Sequence, residues 1–208
     1  MAAVPNRPAL RERYERRQHE VTEVSARVFA DRGYQATSMV DLSEATGLTS
    51  GGLYHYIGSK EKLLFRILLE LMEPWYEIAL DVEKREDLTP KERFRLLLRE
   101  WISHIERFHH HMIVFGQERH VIERDPLWDE VRKSRDRFEE LLWRVVDQVA
   151  PPAKKGKRDD ARRLQMLALL GMVNYTPQWF RPEGRFTAVQ IADAYCDMFF
   201  AALGVDDD

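Results

Sequence analysis

Apolar side chains recur along this chain at intervals of three and four residues, with almost no strand-like alternation, the spacing of one-sided helices. Val21, Val24, Ser25, Val28 and Phe29 fall at i, i+3, i+4, i+7 and i+8 and predict a helix that stops at Gly33, with Tyr34 placed for the hydrophobic contact after the cap. Residues 39–60, MVDLSEATGLTSGGLYHYIGSK, predict two short helices around a tight turn at Gly47, which tolerates the left-handed backbone that such a corner needs. Val40, Leu42 and Ala45 anchor the first of these helices to a core, and Leu48 and Leu53 anchor the second. The rest of the second helix is left to project. Gly51 and Gly52 in its first turn cost roughly 1 kcal/mol each relative to Ala, which close approach of the backbone to a phosphate or base edge would explain. A plain helical hairpin with a glycine-weakened corner fits the local pattern as well.

Further along, Ser59 caps a helix opening with Lys60, whose stripe Leu64, Ile67, Leu68, Leu71, Trp75, Ile78 and Val82 bends at Pro74. Thr89-Pro90-Lys91-Glu92 makes a capping box for the stripe Phe94, Leu97, Leu98, Trp101, Ile105 and Phe108. A shorter helix over residues 109–124 is interrupted near Gly116, and Asp125-Pro126 starts another over 127–149. Residues 151–158, PPAKKGKR, read as a solvated basic linker. Two helices close the chain. One carries the apolar face Leu164, Leu167, Ala168, Gly171, Met172 and Tyr175; the other, capped by Thr187 and Gln190, carries Ile191, Tyr195, Met198 and Ala202, widened by Phe199, Phe200 and Leu203. Such a pair suits a four-helix bundle with its own copy, though a thick monomer core would use the same residues. The expected fold is all-α, about nine helices, with an N-terminal unit over 1–60 and a helical C-terminal unit over 61–208.

Composition and charge narrow the function. The 208 residues carry a formal net charge of −3, too acidic for a protein that coats nucleic acid along its length but compatible with binding through one end. Residues 1–60 hold eight Lys/Arg against seven Asp/Glu. Arg7, Arg11, Arg13, Arg16 and Arg17 make the N-terminal arm basic, either a mobile minor-groove arm or the solvated start of a helix. The lone Cys196 excludes an internal disulfide, and no apolar run approaches the roughly 17–25 residues of a membrane span, so cytoplasmic residence and no membrane partner are expected.

Residues 26–64, ARVFADRGYQATSMVDLSEATGLTSGGLYHYIGSKEKLL, closely resemble the DNA-binding domain of the TetR family of bacterial transcription regulators. Phe29, Gly33, Tyr34, Thr37, Ser38, Leu42, Ala45, Gly47, Leu48, Gly52, Leu53, Tyr54, Tyr56, Ser59, Lys60, Leu63 and Leu64 carry the match in fixed order. The resemblance implies a homodimeric repressor whose helix over 50–56 enters the major groove of a near-palindromic DNA operator, with Ser38, Tyr54, Tyr56 and Lys60 on phosphates. Base reading would fall to Thr49, Ser50, Gly51, Gly52 and His55. That helix has no Arg, Asn or Gln for a bidentate base contact, so specificity would lean on apolar contact, backbone approach, water or DNA shape. In such regulators the C-terminal helices form the dimer interface.

The resemblance also implies a small-molecule effector. Trp101, His104, Phe108, Met112, Phe115, Gln117, Trp128, Phe138, Trp143, Asn174, Tyr175 and Trp179 lie on the helices that line the effector cavity in the family. The tail from Gly171 is similar to that of a subgroup regulating fatty-acid and sterol-ring degradation, through Asn174, Trp179, Arg181, Pro182, Gly184, Arg185, Ile191, Ala192 and the Leu203 end. Acyl-CoA thioesters act as inducers there. A CoA ligand needs cations for its phosphates, which Arg162, Arg163, Arg181 and Arg185 would supply.

Other classes fit less well. His109, His110 and His111, with His104 and His120 nearby, suggest a metal, but adjacent helical residues diverge by about 100° and cannot share one ion. Neither a metal nor another cofactor is expected. There is no His-Glu-x-x-His pattern, no phosphate-binding glycine loop, and no plausible nucleophile in Cys196 on its apolar helix, which argues against an enzyme. A protein-interaction module built on the same hairpin, or an activator of the same fold, remains an alternative.

Overall fold

The computed structural model describes residues 7–122, 128–151 and 160–205, with the side chains of 119–122 set aside. Among these residues every regular element is helical: α1 (Pro8–Arg32), α2 (Met39–Thr46), α3 (Ser50–Ile57), α4 (Lys60–Glu83), α5 (Pro90–Arg107), α6 (His109–Ile122), α7 (Asp129–Val149), α8 (Asp160–Trp179) and α9 (Ala188–Leu203). None is long and apolar enough to cross a membrane. The cap expected at Asp125-Pro126, and the basic linker apart from Pro151, lie outside the described residues.

Local chemistry accounts for the helix ends. Thr89 and Thr187 each close a capping box, with Glu92 and Gln190, as the sequence patterns predict. Ser38 does the same with Asp41. Gly47 adopts φ 67° and ψ 19°, the left-handed conformation expected at the α2–α3 corner. Of the two readings of the arginine-rich arm the structure takes the solvated helix start: helix runs from Pro8, with Arg11 paired to Glu15 and Arg16 to Glu12 at i, i+4 spacing. One expectation is corrected. Helix α6 runs through Gly116 without a break, because one interior glycine costs only about 1 kcal/mol. Helix α4 runs from Lys60 to Glu83 with the exposed Pro74 inside it.

The chain divides into two compact units, Met1–Leu71 with His110–Arg132, and Met72–His109 with Lys133–Asp208. This differs from a division at residue 60. Helix α6 groups with the N-terminal helices because Gln117 Nε2 donates to the Ala30 carbonyl, His111 faces Glu23 and Trp128 packs on Phe65. In the first unit Phe29, Leu42, Leu53, Ile57, Leu63, Leu64, Ile67 and Leu68 form the core. Each fully buried side chain of this size contributes about 1.5–3 kcal/mol. Tyr34 packs edge-on against Phe29 after the α1 cap, at 5.2 Å between ring centroids.

In the second unit α9 lies against α5 and α8. Phe94 stacks on Phe199 at 5.3 Å, and Arg99 grips Asp193 through two bonds of 2.7 and 2.8 Å while Arg95 reaches Asp197 at 2.8 Å. Cys196 is fully buried beneath this network, and burial pushes its thiol up to about 12.

Candidate nucleic-acid interface

Helix α3 is only eight residues long, too short to be stable alone in water. Two side chains, Leu53 and Ile57, root it in the core. Its C-terminal carbonyls are then all occupied from neighbouring segments. Gly58 N–H donates to Tyr54 O at 2.9 Å, the Tyr14 hydroxyl to His55 O at 3.2 Å, Gln18 Nε2 and Arg66 Nη1 to Tyr56 O at 2.8 and 3.0 Å, and Ser59 N–H to Ile57 O at 3.0 Å. A helix end that would otherwise expose four unpaired acceptors is thereby pinned to α1 and α4. Arg17 Nη2 does the same for α2, donating to Thr46 O at 3.1 Å.

With its end fixed, α3 turns Thr49, Ser50, Gly51, Tyr54 and His55 outward. Tyr54 is 49% exposed. A Cβ on Gly51 would meet nothing within 4 Å, so the space beyond it lies outside the chain. Gly52 differs: a Cβ there would come within 3.3 Å of Thr49 Oγ1. That oxygen is the N-cap acceptor for Gly52 N–H at 3.2 Å, so Gly52 and Thr49 serve the helix start before they serve a ligand. Tyr56 is half-buried and stacks on Tyr14 at 5.1 Å, and the His55 ring meets Tyr14 edge-on at 5.4 Å.

The remaining expected phosphate contacts are also held. The Ser38 hydroxyl donates to Asp41 Oδ2 at 2.5 Å and caps α2; these Ser38 bonds, and after them Arg32, hold the Asp41 carboxyl below the usual range. Lys60 opens α4 with its ammonium 4.4 Å from the centre of the Tyr34 ring and 3.4 Å from Gln35 O. Burial pushes this ammonium below the ordinary lysine range, opposed by the charges of Glu118 and Asp41. Ser38 and Lys60 thus lie at the starts of α2 and α4, and Tyr54 and Tyr56 in the C-terminal half of α3, all in one unit.

Tyr14, Gln18, Arg17 and Arg66 were not among the expected site residues. Their signal was present in part, since Tyr14, Gln18, Val21 and Ser25 follow the same helical spacing, but a stripe begun at Val21 stops short of them.

Residues 21–67 match the profile of the bacterial regulatory proteins of the tetR family, and residues 87–203 match that of the tetracyclin repressor-like C-terminal domain. The chain belongs to the TetR family. Among TetR relatives, the transcriptional repressor KstR2 of Mycobacterium tuberculosis is 25% identical over 181 residues, spanning 86% of this chain and 88% of that one. The crystal structure of PfmR from Thermus thermophilus superposes with a TM-score of 0.74 at 29% identity, covering 90% of this chain and 99% of that one. AibR in complex with isovaleryl coenzyme A and operator DNA superposes with a TM-score of 0.71 at 30% identity, covering 88% and 97%.

The residues expected at a TetR effector site fall in several places. Trp101, His104 and Phe138 are buried in the second unit and Phe108 is half-buried there; ring centroids are 4.6 Å apart for both Trp101–Phe138 and His104–Phe108. Trp143 is half-buried on α7 in the same unit. Trp75, expected only as a core residue, joins this cluster at 5.7 Å from Trp101 and 5.3 Å from Phe138, and its buried Nε1 has no acceptor among the described residues. Met112, Phe115 and Trp128 belong to the first unit, where Trp128 is buried. Gln117 is exposed, its amide turned to Ala30. Asn174, Tyr175 and Trp179 stand on the exposed side of α8, because Leu169, Val173 and Thr176 take the side that faces the unit's core.

Of the expected dimer face, Leu164, Leu167, Ala168, Gly171 and Tyr175 on α8 and Met198 and Ala202 on α9 are exposed, and Met172 is half-buried. Ile191 is corrected to a core position at 5% exposure, and Tyr195 is turned inward by its hydroxyl contact with Thr176 Oγ1 at 3.1 Å. The four arginines expected for CoA phosphates do not converge within the chain. Arg162 and Arg163 open α8 and Arg181 and Arg185 follow its other end, separated by about 24 Å of helix.

Proposed function

We propose that the chain is a ligand-responsive transcriptional repressor that binds a near-palindromic operator as a dimer. The observation that carries this is α3: eight residues with every C-terminal carbonyl tied to α1, α4 or the following turn, presenting Ser50, Gly51, Tyr54 and His55 to solvent. Such rigidity serves insertion into a major groove, where base edges are read at fixed depth. Ser38, Tyr54, Tyr56 and Lys60 position the protein on phosphates; Thr49, Ser50, Gly51, Gly52 and His55 face the bases.

The exposed apolar side of α8, with Leu164 at 67%, Leu167 at 62% and Tyr175 at 65% exposure, is the surface for a second copy. A twofold pair then sets two α3 helices about 34–36 Å apart, one turn of DNA. The effector is an apolar molecule carrying a hydrogen-bond acceptor. Trp101, His104, Phe108 and Phe138 supply the apolar wall, and the buried Trp75 Nε1 supplies a donor awaiting a partner. An acyl-CoA thioester has both features, and the AibR complex with isovaleryl coenzyme A supports that class. Because Arg162 and Arg163 lie far along α8 from Arg181 and Arg185, one CoA would engage only one of these pairs. Effector binding shifts the dimer toward a spacing unfit for DNA, with coupling of about 1–3 kcal/mol.

Binding to a fragment of the upstream region, titrated against salt, tests the DNA reading. Affinity falls steeply with salt, and Lys60→Ala lowers the slope of log K against log salt by about 1. Salt-indifferent binding would leave an interaction module as the better reading. Calorimetry with acyl-CoAs, free acids and CoA tests the effector class; no heat with any thioester removes it.

A further inference from the structure

Helix α1 places His19 and Glu23 one turn apart on the same side, and both face residues from other helices of the first unit. His19 Nδ1 is 3.0 Å from Glu70 Oε2 of α4. One donor atom each from His19, Glu23 and Glu70 lies within 4.8 Å of the other two. On α6, His111 is 1% exposed, and its Nε2 lies 3.5 Å from Glu23 Oε1. One imidazole and two carboxylates from α1 and α4 therefore meet at one place, and His111 of α6 adjoins them through Glu23. None of them belongs to the nucleic-acid face or to the aromatic cluster.

We infer that His19, Glu23 and Glu70, with His111 beside Glu23, form a binding site for a divalent first-row transition metal, with Zn2+ the best-fitting occupant. Zinc bonds of about 2.0–2.2 Å meeting at the tetrahedral angle put donor atoms roughly 3.4 Å apart. His19 Nδ1 and Glu70 Oε2, 3.0 Å apart, lie near that spacing, and the three donors stay within 4.8 Å of one another. The donor set decides the class. It includes an imidazole nitrogen, which Ca2+ and Mg2+ do not favour, and it contains no thiolate to select copper(I).

Arg66, one turn before Glu70 on α4, donates from Nη1 to Tyr56 O at 3.0 Å. His111 is also the member of the 109–111 run that faces these donors, so the histidine run contributes through one residue joined to other helices. A bound metal ties α1 to α4.

The test uses the untagged full chain, stripped with chelator and titrated with Zn2+ and Co2+. One equivalent binds per chain, Co2+ gives visible d–d bands, and Zn2+ raises the melting temperature. His19→Ala, at an exposed position, and Glu70→Gln, which keeps the side-chain shape, each weaken binding by more than about 10-fold, the lower end for loss of even an outer-shell partner. Circular dichroism verifies that both variants fold, and His110→Ala leaves binding unchanged. The site is overturned if neither metal binds stoichiometrically, if both variants keep wild-type affinity, or if Ca2+ is preferred over Zn2+.

Discussion

The Tyr14 ring of α1 stacks on the Tyr56 ring of α3, 5.1 Å between centroids and 29° from parallel, while its hydroxyl donates to the His55 carbonyl. A residue 8% exposed thus fixes the end of the outward-facing helix. Tyr14→Ala costs about 3 kcal/mol of stability, as large-to-small changes at buried aromatics do, and lowers operator affinity although Tyr14 is not an expected DNA contact. Tyr14→Phe keeps the stack and loses two hydrogen bonds, the one donated to His55 O and the longer one accepted from Gln18 Nε2 at 3.4 Å, about 1–2 kcal/mol. Urea unfolding beside DNA binding separates the two effects; equal affinity for wild type and Tyr14→Ala contradicts the buttress.

Gly51 and Gly52 separate intrinsic helix cost from external need. Gly51→Ala meets nothing and raises stability by up to about 1 kcal/mol, yet operator binding weakens because the added methyl fills the approach. Gly52→Ala gains less, since its Cβ presses on the Thr49 cap at 3.3 Å. Melting curves and DNA titrations of both variants check this; unchanged operator affinity in Gly51→Ala would refute close backbone approach.

The Arg99–Asp193 pair gives stability an acid limb. The hydrogen bond from Arg99 holds the Asp193 carboxyl below the ordinary range, against desolvation, with Arg95 adding. A depressed folded pKa means that the stabilisation is complete above the unfolded value of about 3.9 and is lost as pH falls through the lower folded value. The side chains are 41% and 30% exposed, so the pair contributes about 1 kcal/mol or less. Denaturation at a series of pH values should show wild type above Asp193→Asn near neutrality, with the difference closing below about pH 4.

Leu167→Glu sets a charge in the exposed apolar side of α8. Light scattering is expected to show a dimer for wild type and a monomer for the variant, with operator affinity reduced because two half-sites are no longer linked. An unchanged dimer would move the interface elsewhere.

Helix positions were legible where one signal dominated. Thr89 with Glu92, Thr187 with Gln190 and Gly47 each mark an end through side-chain or backbone chemistry that acts within a few residues. The faces were legible for α4 and α5, whose stripes are apolar on one side only. They were ambiguous for α8, apolar on both sides: Leu169 and Val173 serve the chain's own core, while Leu164, Leu167 and Tyr175 are left outside. The outward residues of α3 could be read from its lack of apolar anchors, but its supports could not. Tyr14 lies 41 residues from His55, and no local spacing announces such a bond. The same holds for His19, Glu70 and His111, scattered in sequence and joined only by packing.

Cys196 has a practical corollary. It is the chain's lone cysteine, fully buried with its thiol held neutral, and it is the thiolate that attacks electrophilic thiol reagents. Toward maleimides and spin labels the folded protein therefore behaves as a cysteine-free background. One cysteine introduced on an exposed position of α3 or α8 would take up a probe alone, and distances between such probes in a dimer would report the spacing of the two α3 helices directly.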